Sequence, residues 1–175
     1  MPKPRKMLTD YNAPYIQSLM RLIETQSKET IANWCIDYAA LHLLPLWEKS
    51  FPDDSRPKAA LTAAKDYLDG KIKLPEAKQH IIECRNAARQ SEGSHIAQGA
   101  ARTIDAAVSS IHNPTGSISI AFYGALTIAY DQLGIASDWE ALESLAAEEC
   151  AKMEAALKVV TIENEPHPAK IKWGC

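Results

Sequence analysis

Hydrophobic positions recur every three or four residues along most of the chain, which is the spacing of one face of an α-helix. The clearest case lies between Ser94 and His112, where one stripe holds Ala97, Ala100, Ala101, Ile104, Val108 and Ile111. Alternation of hydrophobic and polar residues, the mark of a strand, never extends beyond about four positions. The pattern therefore predicts an all-α protein.

Helical spacing, together with residues that start and stop helices, divides the chain into seven predicted helical segments. We place them at about 12–26, 29–49, 55–70, 75–90, 94–112, 117–133 and from 137 onward. Pro45 should kink or break the second segment, whereas Pro75 suits the first turn of the fourth. Gly70 and Gly134 suit helix ends. We expect one compact helical domain over 1–175, with a core from about 12 to 160 and an irregular tail over 161–175.

The composition agrees with a helical bundle and argues against several other classes of protein. The 175 residues include 27 alanines, the best helix formers, and only 7 glycines. The formal net charge of −3 and the lack of a basic stripe argue against nucleic-acid binding. No apolar run is long enough for a membrane span, and none follows the basic first residues as in a secretory leader. We expect a cytoplasmic protein that binds neither nucleic acid nor membrane.

Metal, cofactor and nucleophile motifs are missing from the sequence. It contains no two-histidine zinc pattern, no glycine-rich phosphate loop and no nucleophilic serine elbow. Its cysteines, far apart and without a Cys-x-x-Cys pair, are expected to be reduced and mostly buried, with only the last near the surface: Cys35, Cys84, Cys150 and Cys175. We therefore expect no metal, no cofactor and no catalytic set.

The segment 51–60 places two acids, a serine and an arginine between two prolines, immediately before a predicted helix. Asp54 or Ser55 can accept hydrogen bonds from the free N–H groups of the first turn, where Pro57 is also favoured. Arg56 is not explained by a helix start, because a cation there opposes the helix dipole. We expect Arg56 to contact a carboxylate elsewhere in the fold, in a structural ion pair or a binding site.

The fifth predicted segment carries a polar face opposite its apolar stripe. Steps of three and four residues align His95, Gln98, Arg102, Asp105, Ser109 and His112. A solvated face is one interpretation, but such faces are usually richer in lysine and glutamate, so a packed polar seam or a binding site is the other. Arg102 and Asp105 lie one turn apart and can pair directly.

The seventh predicted segment is rich in acids, which we interpret as a solvated face. The acids are Asp138, Glu140, Glu143, Glu148, Glu149 and Glu154. A surface of this charge would also steer a basic protein partner toward the chain.

Several stretches follow one another in an order that resembles the immunity-protein-five-like family of bacteria. The most specific piece is Pro-x-Asp-x-Arg-Pro at 52–57. The others are Trp34, Tyr38–Ala39, Leu44–Lys49, Ala87–Arg89, Gly99–Arg102 with His112, and Ala121–Ala125. The resemblance covers about residues 30–135. It is interrupted at 113–120, where the sequence reads Asn-Pro-Thr-Gly-Ser-Ile-Ser-Ile instead of a histidine-containing apolar stretch.

The resemblance implies an all-helical cytoplasmic protein of a polymorphic toxin system, which binds a cognate toxin and neutralises it by occlusion. Carried over by position, it selects Asp54, Arg56, Arg102 and His112. We expect these residues and Asp105 to meet in one polar cluster between the third and fifth predicted helices. The alternative is an enzyme or small-ligand-binding protein that uses this cluster. The sequence indicates no oligomeric state.

Overall fold

The computed structural model describes residues 3–174, and in this range the chain forms helices and no strand. The α-helices are α1 (Pro14–Ile23), α2 (Lys28–His42), α3 (Leu44–Ser50), α4 (Arg56–Leu68), α5 (Leu74–Gln90), α6 (His95–Ser109), α7 (Leu126–Leu133) and α8 (Trp139–Val160). A 3-10 helix at Pro114–Ile118 and a π-helix at Ile120–Ala125 lie between α6 and α7. The all-α prediction is confirmed.

The proline and the glycines expected to interrupt or end helices lie at helix boundaries. The predicted second helix is divided at Leu43 into α2 and α3, and Pro45 occupies the first turn of α3. Gly70 and Gly134 follow the ends of α4 and α7 with positive φ angles of 75° and 92°. Because residues other than glycine rarely adopt such angles, these glycines end their helices where the chain must turn.

Helix α6 lies at the centre of the bundle, where it contacts α2, α3, α4, α5 and α7 as well as both short helices. Its alanine stripe is at most 1% exposed. Alanine side chains are small, so five neighbouring helices can approach the backbone of α6 closely. The alanines of α6 thus allow this helix to lie at the centre of the bundle.

Two glycine–threonine contacts join α6 to the π-helix and α7. Gly99 faces Thr127, and an added Cβ at Gly99 would collide with the Thr127 hydroxyl. Gly124 faces Thr103, whose Cγ2 would lie 2.9 Å from an added Cβ. Both threonine hydroxyls donate to a carbonyl one turn earlier in their own chain segment, at 2.8 and 2.7 Å. Each threonine is therefore held in the orientation that fills the space over a glycine.

Helix α8 closes the bundle on the side of α1 and α2. The buried Trp34 indole donates from Nε1 to the Met153 carbonyl at 3.0 Å, which ties α2 to α8. After α8 the chain returns along α1, where Ala169 N donates to Gln26 O at 2.8 Å. Trp173 packs against the core, and its Nε1 donates to Glu24 Oε1 at 2.5 Å.

The thiols of Cys35, Cys84 and Cys150 are free and buried, as the sequence predicts, whereas Cys175 lies outside the described residues. Burial raises the pKa of Cys150 to about 12, so this thiol stays protonated at neutral pH. Among residues 3–174 no helix is both long and apolar enough to cross a membrane.

Candidate functional site

Asp54 and Arg56 form a short-range ion pair at the start of α4. The Arg56 guanidinium donates from Nη2 to Asp54 Oδ2 at 2.7 Å and from Nε to Oδ1 at 2.9 Å. Asp54 Oδ1 also accepts from the Arg56 backbone N–H at 3.2 Å, and its carbonyl accepts from the Trp47 indole. The hydrogen bonds from Arg56, chiefly those of its side chain, lower the pKa of Asp54 below its usual value. The predicted long-range contact of Arg56 is wrong, since its carboxylate partner lies two residues away.

Asp105 on α6 pairs with Arg85 on α5, instead of with Arg102 on its own helix. Arg85 donates from Nε and Nη2 to the two carboxylate oxygens, both at 3.0 Å. Ser109 Oγ donates to Asp105 Oδ1 at 3.3 Å. The fork of Arg85 therefore occupies both oxygens of Asp105, and the carboxylate raises the pKa of Arg85.

The charged residues expected in one cluster between the third and fifth predicted helices belong to two separate ion pairs. In the described part of the chain, the Arg56–Asp54 pair and the Arg85–Asp105 pair share no ion-pair contact. The buried thiol of Cys84 on α5 lies near both pairs, because their charges all act on its pKa. Helices α4 and α6 do contact each other, but Arg85 of α5, not Arg56 of α4, is the partner of Asp105.

The rest of the predicted polar face of α6 forms a packed seam. Gln98 is 6% exposed and donates to the Ala88 carbonyl of α5 at 2.8 Å. His95 packs edge-on against the Tyr130 ring of α7, with ring centroids 5.0 Å apart. His112 is half-buried at the end of the seam, and its Nδ1 has no hydrogen-bond partner in residues 3–174. Burial, with the charges of Lys78, Lys28 and Arg85, lowers the pKa of His112.

Arg102 and Asp105 line one pocket of about 380 Å³ between α5, α6 and the two short helices. Arg85 and Arg89 contribute from α5, and Tyr123 contributes from the π-helix. π-Helical turns are rare and occur frequently at functional sites. Gly116 of the 3-10 helix also forms part of this wall. We call this space the arginine pocket.

A second pocket of about 470 Å³ shares Arg89 and Arg102 with the arginine pocket. Lys3 and Lys6 of the N-terminal segment line its far side. That segment is fixed in place by Arg5, whose carbonyl accepts from Tyr130 at 3.0 Å and whose guanidinium lies 3.9 Å above the Trp139 ring. Basic side chains from three separate parts of the sequence therefore converge on two adjoining pockets.

The acidic residues of α8 do not form one solvated face. Glu149 is 3% exposed, and it accepts hydrogen bonds from Tyr38 at 3.3 Å and from Lys152 at 2.8 Å. Burial and the Glu149 carboxylate together raise the pKa of Tyr38. Glu154 accepts from Ser18 of α1 at 2.5 Å. Two of the six acids thus bond to other helices, which weakens the surface charge expected from the sequence.

A family model described as Imm-5 like putative immunity protein matches residues 21–156. The chain belongs to this family. The match runs from α1 into α8, and it includes Asp54, Arg56, Arg102, Asp105 and His112. No curated protein and no solved structure matches the chain.

The family membership agrees with the resemblance that the sequence shows, but two arginines of the pocket are not among the predicted site residues. Arg85 and Arg89 lie four residues apart on α5, a spacing that places both on one face of the helix. This spacing is the feature of the sequence that could have marked the two arginines as neighbours. In this immunity-family chain, no group of three or more histidine, cysteine or acidic side chains within residues 3–174 is arranged to hold a metal ion.

Proposed function

We propose that this chain is a bacterial immunity protein that binds a cognate toxin in the cytoplasm and neutralises it by occlusion. The observation that carries the proposal is the family match over residues 21–156, which spans most of the helical core. Occlusion needs a stable surface complementary to the toxin and no reaction on the immunity protein itself.

The contacts of the predicted site residues support occlusion over catalysis. Asp54 is engaged by Arg56, and Asp105 is engaged at both oxygens by Arg85. Carboxylates held by an arginine in this way are poorly placed to accept a proton from a substrate, because a general base must itself lie within hydrogen-bond reach of that proton. We therefore assign the two pairs a structural role at the starts and faces of helices α4, α5 and α6.

Growth rescue tests the proposal. Candidate toxin domains encoded beside the gene are expressed in a bacterial host with and without the chain, and surviving colonies are counted. We expect the chain to restore growth against one of them. The control is the same plasmid with an early stop codon, which must not restore growth. Failure of the intact, expressed chain to rescue growth against any neighbouring toxin would contradict the proposal.

Two variants separate occlusion from the enzymatic alternative in the same assay. His112→Ala removes the half-buried histidine, and Arg56→Lys keeps the charge but loses the two-pronged contact with Asp54. An occluding protein retains rescue with both variants, provided that they accumulate to the wild-type level. Loss of rescue by either stably folded variant would favour an enzyme that uses these side chains.

A further inference from the structure

We propose that the arginine pocket and its neighbour form a binding site for a small molecule with two or more phosphoryl groups, one of which lies between Arg89 and Arg102. This inference goes beyond toxin neutralisation and does not depend on it. It begins with the two shared arginines, which line both pockets.

Arg89 and Arg102 are the two arginines of this site that no carboxylate of the described residues engages in an ion pair. Neither forms an ion pair with any residue in 3–174, although eight ion pairs occur elsewhere in that range. The acid on the wall of the arginine pocket is Asp105, and Arg85 already occupies both of its oxygens. Two arginines lining one concave wall repel each other, and a bound anion would relieve that repulsion.

The polar groups left free on the pocket wall include two side chains that cannot accept a hydrogen bond. Arg89 and Arg102 can only donate hydrogen bonds, and the hydroxyl groups of Ser119 and Tyr123 can donate as well. A ligand that satisfies this wall must therefore supply acceptors. The pocket volume of about 380 Å³ lies within the range of small-molecule sites.

A phosphoryl group fits this wall better than a carboxylate. A carboxylate has two oxygens and one negative charge, and the fork of a single arginine can engage both oxygens, as Arg85 does at Asp105. A phosphoryl group presents three acceptor oxygens and more negative charge, so it can bind two arginines and a hydroxyl at once. The geometry thus favours a ligand that bridges Arg89 and Arg102.

The second pocket carries basic side chains that can bind a further phosphoryl group. Beyond the shared arginines its wall carries Lys3 and Lys6, against one carboxylate, Glu92. The positive field is also felt by His95, whose pKa is lowered by burial and then by Arg102, with Lys6 acting in the same direction. A ligand with one phosphoryl group between Arg89 and Arg102 and another near Lys3 and Lys6 would therefore meet cations at both positions.

Calorimetric titration with inorganic pyrophosphate tests the assignment. We expect one saturable site on the wild-type chain, weakened by added salt, and affinity at least about tenfold lower in each of Arg89→Gln and Arg102→Gln, the loss expected for a charge-assisted hydrogen bond. Arg21→Gln is the matched control, because Arg21 is exposed on α1 and pairs with Glu24. This control should bind pyrophosphate like the wild type.

Several outcomes would overturn the assignment. They are the absence of saturable binding to the folded wild type, equal binding by the Arg89→Gln variant, or tighter binding of succinate than of pyrophosphate. Arg89 is exposed, so its replacement leaves the fold intact even if Arg102→Gln does not. Circular dichroism of each variant confirms folding before the titration.

Discussion

Gly99→Ala is the substitution that tests the packing of α6 most sharply. Alanine normally stabilises a helix interior relative to glycine by about 1 kcal/mol, so helix propensity alone predicts a gain. Here the new methyl group would enter the space of the Thr127 hydroxyl, with Thr127 Cγ2 at 3.2 Å and Cβ at 3.3 Å. Propensity and packing therefore predict opposite signs.

The packing cost should exceed the gain in propensity. Thr127 is branched at Cβ and its hydroxyl donates to the Tyr123 carbonyl at 2.7 Å, so rotation of this side chain would break a partly buried hydrogen bond. Forcing a methyl group into a filled core costs about 1–3 kcal/mol. Because the collision with the Thr127 hydroxyl is severe, we expect a cost of about 2–3 kcal/mol, in the upper part of that range. After the gain of about 1 kcal/mol is subtracted, Gly99→Ala should lower the free energy of unfolding by about 1–2 kcal/mol.

Urea unfolding monitored by circular dichroism measures this change. Gly93→Ala is the matched control, because an added Cβ there meets no atom within 4 Å, and its effect should be small. In a double-mutant cycle, Thr127→Ala should relieve the clash and give a favourable coupling of about 1 kcal/mol or more with Gly99→Ala. A Gly99→Ala variant as stable as the wild type, or more stable, would refute the reasoning.

Three further predictions concern ionisable groups. The folded pKa of Cys150, about 12, exceeds the ordinary 9.0, so this thiol should lower the free energy of unfolding by about 1.4 kcal/mol per pH unit between pH 9 and 12. Urea unfolding of Cys150→Ala at several pH values should show a smaller dependence of that free energy on pH. Asp54→Asn should cost about 1 kcal/mol at pH 7, a difference that shrinks in urea titrations as pH falls below 3.8, because Arg56 lowers the folded pKa of Asp54. Glu149→Gln should lower the free energy of unfolding by about 1–2 kcal/mol and bring the pKa of Tyr38 down toward its usual value. Ultraviolet titration of the phenol measures this pKa, and an unchanged value would contradict the Tyr38–Glu149 contact.

The helical architecture could be predicted from the sequence because its signals are local. Periodic hydrophobic residues mark the buried face of each helix, and Pro45 and Gly134 act within one turn of their own positions. The π-helix between α6 and α7 could not be predicted in this way. Its single wider turn changes which side chains share a face, and the hydrophobic pattern does not record that change.

Partners of the charged residues could not be predicted, because they depend on how helices pack. Residues two apart do not face each other on a helix, but Asp54 lies before α4 begins, where the chain can fold back to Arg56. Arg85 reaches Asp105 only because α5 packs along α6. Glu149 belongs to a run of acids that the sequence predicts to be exposed to solvent. It can be buried because the hydroxyl of Tyr38 on α2 donates a hydrogen bond to its carboxylate.

The basic lining of the two adjoining pockets also depends on how separate parts of the chain pack together. Its members come from the N-terminal segment, α5 and α6, so no run of lysine and arginine marks it in the sequence. A net charge of −3 conceals this local excess of positive charge. The structure assembles the excess around Arg89 and Arg102.

Titration of a purified toxin with the purified chain tests neutralisation by occlusion most directly. The toxin neutralised in the growth assay is held at a fixed concentration well above the dissociation constant, and its activity is measured as the chain is added. Occlusion predicts a linear loss of activity that is complete at about one chain per toxin, with both proteins recovered unmodified. Complete inactivation by far less than one equivalent would contradict occlusion, because it would require the chain to act catalytically on the toxin.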